Sequence, residues 1–297
     1  MPIDSATAEL VSLIKPLATR PGFVETLLPE VQVLSAFSYV ASSPQIYDPS
    51  LMIVVQGRKV ACLGPRTFEY GAGHYLIQAL SVPFQCETFA TPDKPLYGVA
   101  VAIDRTLLGE LVQLMGSIGA DACEPQTPES MSSVVIDEGM RASVERLLRC
   151  LRDPLECQLM GAARVRDVIF NALRGPQAGV LRALVEHHGQ FARIAASVAY
   201  LHDHYDQALN VETLARCANM SVSTFHEHFK RSTLLSPVQY LKRLRLLKAQ
   251  QLLTSDGLGV GQVALRVGYQ SASQFSREYK RYFEHSPVEE GAHLRAS

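Results

Sequence analysis

Arg277, Lys280 and Arg281 stand within five residues of one another, and Lys230 and Arg231 repeat the last two of them fifty positions earlier. A guanidinium offers two parallel N–H donors that match the O6 and N7 acceptors of guanine, whereas an ammonium acts as a point charge toward phosphate. The residues just before the cations are short or polar: Ser223, His226 and Glu227 in one place, Ser273, Ser276 and Arg277 in the other. A histidine can donate to a purine and a glutamate can accept from a cytosine amine, so these six are candidate base readers. Lys230, Arg231, Lys280 and Arg281 are candidate phosphate partners, which position a protein on a duplex without reading its sequence.

Such side chains can act together only if a helix holds them on one face. Ser221, Ser223, Phe225, Lys230, Arg231, Ser236, Pro237 and Val238 each recur identically 50 residues later, and before the serine the offset is 49, pairing Leu214-Ala215 with Val263-Ala264 and Asn219 with Gly268. Each copy therefore reads as helix, tight turn, helix, with Asn219 or Gly268 supplying the backbone freedom of the turn. Ser221 and Ser271 are predicted N-caps, and Ser271 with Gln274 predicts a capping box. Phe225 and Phe229, like Phe275 and Tyr279, are four apart and must face inward, which turns the polar set outward. A plain amphipathic repeat would account for one copy, but two copies with matched exposed positions in a basic segment favour major-groove binding. Between them SPVQYLKRLRLLKAQQLL predicts a helix starting at Ser236-Pro237, with a stripe of Leu241, Leu244, Leu247 or Lys248, and Leu252, that holds the two units apart.

The charge distribution agrees. The 297 residues carry a net charge of −1, yet residues 216–281 hold eleven basic residues against Glu227, Asp256 and Glu278. That local excess is an electrostatic footprint for a polyanion. No run of about 18 apolar residues occurs, and the N-terminal MPIDSATAELVSLIKPLATR lacks the order of a leader, so a soluble cytoplasmic protein is expected. The six cysteines are scattered without CxxC spacing and are expected to be buried, reduced thiols.

Upstream, Leu10, Leu13, Ile14 and Leu17 predict a helix in an N-terminal arm (1–30). Over 31–104 the short runs VQVLSAFSYV, LMIVVQ, KVACL, HYLIQAL and LYGVAVAI, punctuated by Gly and Pro, predict a small antiparallel barrel or sandwich. From 105 to 190 the periodicity is helical throughout, predicting a connector that covers the barrel or forms a dimer seam, and 191–297 holds the duplicated unit. The expected fold class is α+β and multidomain: a small antiparallel β-barrel or sandwich with a helical connector, then an all-α double helix-turn-helix.

No catalytic set is legible. His74 stands alone in the strand region, whereas a metal-dependent barrel enzyme needs several imidazoles and a carboxylate. His202/His204 and His226/His228 are two apart on helices and diverge, as do the adjacent His187 and His188. No GxSxG, HExxH or phosphate-cradling loop occurs. Neither metal nor cofactor is expected. A barrel can instead enclose a small molecule, and Met52, His74, Gln78 and Cys86 are its candidate liners. Cys62 and Cys86 leave open a thiol-based electrophile or redox sensor, and a cupin-type enzyme with an appended DNA-binding domain is the other alternative.

MSVSTFHEHFKRSTLLSPVQYLKRLRLLKAQQLL followed by VALRVGYQSASQFSREYKRYFEHSP resembles the DNA-binding domain of the AraC/XylS family of bacterial transcription regulators, and YDPSLMIVVQGRKVACLGPRTFEYGAGHYLIQALSVPF resembles the cupin-like N-terminal domain of one AraC subgroup. Two positions depart from the family pattern. Glu227 stands where many members carry arginine, and Glu284 where glycine is common, which implies a looser closing turn after the second recognition helix. The resemblance implies a homodimer or a regulator modulated by a small-molecule effector, which binds double-stranded promoter DNA and usually activates transcription by touching RNA polymerase.

Overall fold

A computed structural model describes residues 5–117, 128–186, 189–255 and 258–293, and the chain forms two compact units with the main boundary between Ala192 and Arg193, the short segments Ser43–Ile46 and Val82–Gln85 grouping with the second. The expectations for Cys123 and for His187 and His188 lie outside the described residues.

The first unit begins with α1 (Ser5–Ile14), whose Leu10, Leu13 and Ile14 are buried as their spacing requires. Ten strands follow: β1 (Gly22–Glu25), β2 (Val31–Ala36), β3 (Val40–Gln45), β4 (Ser50–Gln56), β5 (Arg58–Leu63), β6 (Arg66–Gly71), β7 (His74–Gln78), β8 (Phe84–Phe89), β9 (Leu96–Ala102) and β10 (Met131–Val135). They form a six-stranded sheet in the order β1-β2-β9-β4-β7-β10 and a four-stranded sheet in the order β3-β8-β5-β6, and every recorded pairing is antiparallel. The helices α2 (Arg105–Ser117), α3 (Glu138–Cys150), α4 (Pro154–Arg174) and α5 (Ala178–Val185) complete the unit. Two strands fall where helical structure was expected. GFVE forms β1 within the N-terminal arm, and MSSVV forms β10 within the helical connector, where it pairs with β7 from Met131↔Gln78 to Val135↔His74. Five residues flanked by helical sequence carry too few periods to show in a window scan, and the pairing partner, not local periodicity, decides their state.

Alternation along the strands separates the faces of the large sheet. A Cβ on Gly175, at the end of α4, would meet the Tyr75 hydroxyl, so Tyr75 and its β7 companion Ile77 face the helices. Leu76 and Gln78, with Met52 of β4 beside Leu76, then face the four-stranded sheet. Ser133 of β10 reaches the same way, donating to Glu69 O of β6 at 3.1 Å. The cysteines Cys86, Cys150 and Cys157 are buried, Cys62 is half-buried and Cys217 is exposed, the last contrary to expectation. Burial pushes the Cys150 thiol up to about 11 and raises that of Cys157, which disfavours thiolate at neutral pH.

The second unit is helical: α6 (Gln190–Asp203), α7 (Val211–Cys217), α8 (Val222–Thr233), α9 (Pro237–Ser255), α10 (Val260–Arg266), α11 (Ala272–Phe283) and α12 (Pro287–His293). The inner faces of the two copies are built alike. Phe225 stacks near Phe229 at 5.3 Å and Phe275 near Tyr279 at 5.5 Å between centroids, all four fully buried over Leu214-Ala215 and Val263-Ala264. Helix α9 is not the single-striped strut its leucines suggested. Tyr240 sits against Phe229, while Leu246, Leu247, Ala249 and Leu253 join the core of the second copy, so apolar residues are buried around most of its circumference. Nineteen residues give it a length of about 28 Å.

Candidate nucleic-acid interface

Both recognition helices are set by the same turn. At the end of α7 the amides of Asn219 and Met220 donate to Arg216 O and Ala215 O (both 2.9 Å). At the end of α10 those of Gly268 and Tyr269 donate to Leu265 O (3.0 Å) and Ala264 O (2.9 Å). This is the Schellman pattern, with Asn219 (φ 50°) and Gly268 (φ 84°) in the left-handed position. The next helix then starts on a serine cap. Ser221 Oγ accepts from Thr224 N and Ser271 Oγ from Gln274 N, each at 3.3 Å.

The expected capping box at Ser271 is only half formed, because the Gln274 amide points along the helix to Glu278 at 3.2 Å instead of back to the cap. Complete boxes occur where none was expected, at the two Ser-Pro-Val starts. Gln239 Oε1 accepts from Ser236 N (3.3 Å) while Ser236 Oγ accepts from Gln239 N (3.3 Å). Glu289 and Ser286 reciprocate in the same way.

Each recognition helix closes on a left-handed residue, Leu234 (φ 58°) or Glu284 (φ 70°), whose amide donates four residues back at 2.8 and 2.9 Å. The closing turn at Glu284 is therefore as tight as its counterpart, contrary to what the missing glycine implied. The cost appears as strain, since a non-glycine residue in this region costs about 1–2 kcal/mol. Glu284→Gly is expected to stabilise the second unit by about 0.5–1 kcal/mol, read as a higher urea midpoint with unchanged slope.

The outward faces differ as the sequence suggested. On α8 Ser223, His226, Glu227, Lys230 and Arg231 are exposed, and on α11 Ser273, Arg277, Lys280 and Arg281 are exposed with Ser276 half-exposed. Ser276 Oγ donates to Ala272 O at 2.9 Å, which leaves its lone pairs as the groups available to a base. Arg231 is partly engaged within its own helix, where its guanidinium meets Nδ1 of the buried His228. Lys230 and Lys280 are exposed.

Some of the local charge is internal. Arg245 of α9 donates Nε–H to Tyr205 O (2.7 Å) and Nη2–H to Gln207 O (2.8 Å), pinning the α6–α7 loop, and burial lowers its pKa. Glu278 accepts from Lys242 (3.0 Å), Tyr269 (2.9 Å) and Gln274 (3.2 Å), bracing α11 against α9 and the turn. The sequence shows these two only as members of a charge count. A hint lies in position: Glu278 is the counterpart of His228, and both occupy the same inward-turning site beside an aromatic anchor. Burial pushes the Glu278 carboxyl upward, but the three donors outweigh it and hold it below the ordinary range. A depressed pKa gives stability that is present above about pH 4.3 and lost as pH falls through the lower folded value. Glu278→Gln should therefore cost about 1 kcal/mol at pH 7 and flatten the acid limb of the stability profile, as pH-dependent urea unfolding will show.

In the first unit Met52, Gln78 and Cys86 all turn into the space between the sheets, and Gln78 Nε2 donates to Tyr47 O at 2.8 Å. His74 is half-exposed at the start of β7 and stands apart from them. Among the described residues no three His, Cys, Asp or Glu side chains converge as a metal site, and no helix is long and apolar enough to cross a membrane.

Residues 27–180 match the family described as AraC-type transcriptional regulator N-terminus, and residues 214–290 match the Helix-turn-helix domain family. The chain is 38% identical over 98 residues to the HTH-type transcriptional activator RhaS of Enterobacter sp. (strain 638), covering 33% of this chain and 35% of that protein. Against RhaS of Escherichia coli (strain SE11) it is 35% identical over 96 residues, or 32% and 34% of the two chains. The match thus spans about a third of the length of these curated relatives. Among solved structures, unsaturated fatty acid bound wild-type ToxT from Vibrio cholerae strain SCE256 shares the fold with a TM-score of 0.58 at 9% identity, covering 94% of this chain and 99% of its own. With more than half of its 297 residues matched by the AraC-type N-terminal family and its C-terminal part by the helix-turn-helix family, the chain belongs to the AraC/XylS family of transcription regulators.

Proposed function

We propose that the chain binds double-stranded promoter DNA through α8 and α11 at a bipartite, asymmetric site, under the control of a small molecule held in the N-terminal β unit. The observation that carries this reading is the repeated Schellman turn and serine cap, which present two exposed helix faces of unlike chemistry, Ser223/His226/Glu227 and Ser273/Ser276/Arg277. Helices so presented suit two successive major-groove segments about 34 Å apart, and the unlike faces make the half-sites unlike. Lys230, Lys280 and Arg281 serve the phosphates, with Arg231 sharing that role and its contact to His228. Activation is the proposed sign of regulation, supported by the activator names of the relatives, and RNA polymerase is the proposed partner in it. A cytoplasmic homodimer completes the reading, with exposed Leu155 and Leu159 of α4 as part of the partner surface.

The phosphate role has its own test. Lys230→Ala should weaken binding to specific and random duplexes alike and reduce the slope of log K against log salt by about 0.9, measured by fluorescence anisotropy over a salt series. Loss confined to one sequence would reassign Lys230 to base reading.

A further inference from the structure

The loop between α6 and α7 belongs by sequence to the first helix-turn-helix, since Asn210 at its end caps α7 by accepting from Thr213 N at 2.8 Å. Its contacts lie with the second. Tyr205 packs against the buried cluster that holds Val263, Ala264, Phe275 and Tyr279 of the second copy. Arg245 of α9 takes the carbonyls on both sides of Asp206, donating to Tyr205 O at 2.7 Å and to Gln207 O at 2.8 Å. The Asp206 carbonyl is thereby held against the turn of the second copy, so close that a Cβ on Gly268 would come within 2.5 Å of its oxygen. The two turns differ in residue for this reason. Both need a left-handed backbone, which asparagine tolerates, as Asn219 does at φ 50°. Position 268 must also admit the loop, and only glycine leaves room for it.

We propose that the α6–α7 loop, clamped by Arg245 onto the Gly268 turn, fixes the angle between α8 and α11, and that Arg245 is thereby a positioning residue through which the protein selects the spacing of its two half-sites. The inference rests on the bipartite-site reading and adds what sets the separation of the two segments. Helix α9 is the covalent link between the copies. A single link sets their distance but lets them swing about the residues at its ends. A second contact, made at the Gly268 turn, removes that swing. Each base pair inserted between the half-sites moves one of them by about 3.4 Å and turns it by about 34°. A fixed pair of helices rejects such a site, whereas a swinging pair follows it.

The test uses the full chain and the duplex that wild type selects from a random pool, remade with one or two base pairs added or removed between the protected segments. Affinities are read by fluorescence anisotropy at a temperature where circular dichroism shows every variant folded. Wild type should lose on a shifted duplex at least what one mismatch costs, about tenfold. Arg245→Met keeps the apolar stem and removes the donors. It should bind the selected duplex more weakly, and its preference over the shifted ones should shrink to about threefold or less. Arg245→Lys, which keeps one donor group, should fall between. Gly268→Asn accepts the left-handed backbone but not the approach of Asp206 O, so it should relax the spacing from the other side of the contact, whereas Asn219→Gly should not. These two positions carry the same test should Arg245→Met fail to fold. An Arg245 that only stabilises the fold would weaken every duplex by one factor and leave the preference intact, which overturns the proposal. Wild type that accepts shifted duplexes as well as the selected one overturns it too. Wild type that protects a single segment, or selects no sequence, refutes the bipartite reading itself.

Discussion

Gly268→Ala is expected to destabilise the second helix-turn-helix by about 3 kcal/mol. Two costs add. At φ 84° any residue with a Cβ is strained by about 1–2 kcal/mol, and the new methyl would lie 2.5 Å from Asp206 O and 2.9 Å from Arg245 Nη2. Neither neighbour can withdraw cheaply, since Arg245 holds the loop through its bonds to Tyr205 O and Gln207 O. A movement of the loop would loosen both bonds, adding roughly a further 1–2 kcal/mol. Gly73→Ala is the control. It has the same sign of φ, at 85°, but nothing within 4 Å of the added carbon, so it should cost only about 1 kcal/mol. Hydrogen exchange should show lost protection over α10 and α11 in Gly268→Ala, with α1 and the strands unchanged. Wild-type protection in those helices would contradict the account of the turn.

Arg277→Ala is expected to remove about 1–3 kcal/mol of discrimination at one base position and to leave the rest of the site as it was. Arg277 is exposed in the second turn of α11, its neighbours Ser273 and Ser276 are too short to replace it, and Glu278 is turned inward to Lys242, Tyr269 and Gln274. A guanidinium at that point has no ion pair on its own helix to give up before it meets guanine. Glu227 occupies the corresponding position on α8, so the first half-site should prefer a base that donates, such as cytosine. Competition binding with each base varied in turn measures both claims. A loss that is equal on every sequence would make Arg277 a phosphate contact.

The duplicated unit was legible because its information is local. A serine cap, a permissive residue in the turn and aromatic anchors four apart each act within one or two turns of helix, so the offset of 50 residues transferred their meaning from copy to copy. What escaped is what depends on a distant partner. Gln274 obeys the capping-box spacing, yet Glu278 offers its amide a charged acceptor and wins. Arg245 counts as one more positive charge in the sequence, but the carbonyls of Tyr205 and Gln207 claim it for the fold. β10 takes its state from β7, more than fifty residues earlier. The β unit shows the same division. Alternation placed Met52, Gln78 and Cys86 on strands, but only the pairing of β5 with β6 sets Lys59 opposite Tyr70, and a lysine in KVACL reads from sequence as an exposed residue.

The most direct test of the central claim is selection of bound fragments from random duplex DNA by the full-length chain, followed by hydroxyl-radical footprinting of the winners. The structure predicts two protected major-groove segments about one helical turn apart on one face of the duplex, with different sequences in the two halves. Arg277→Ala should blur only one of them. Recovery of a site with a single protected segment, or of no preferred sequence at all, would contradict the account.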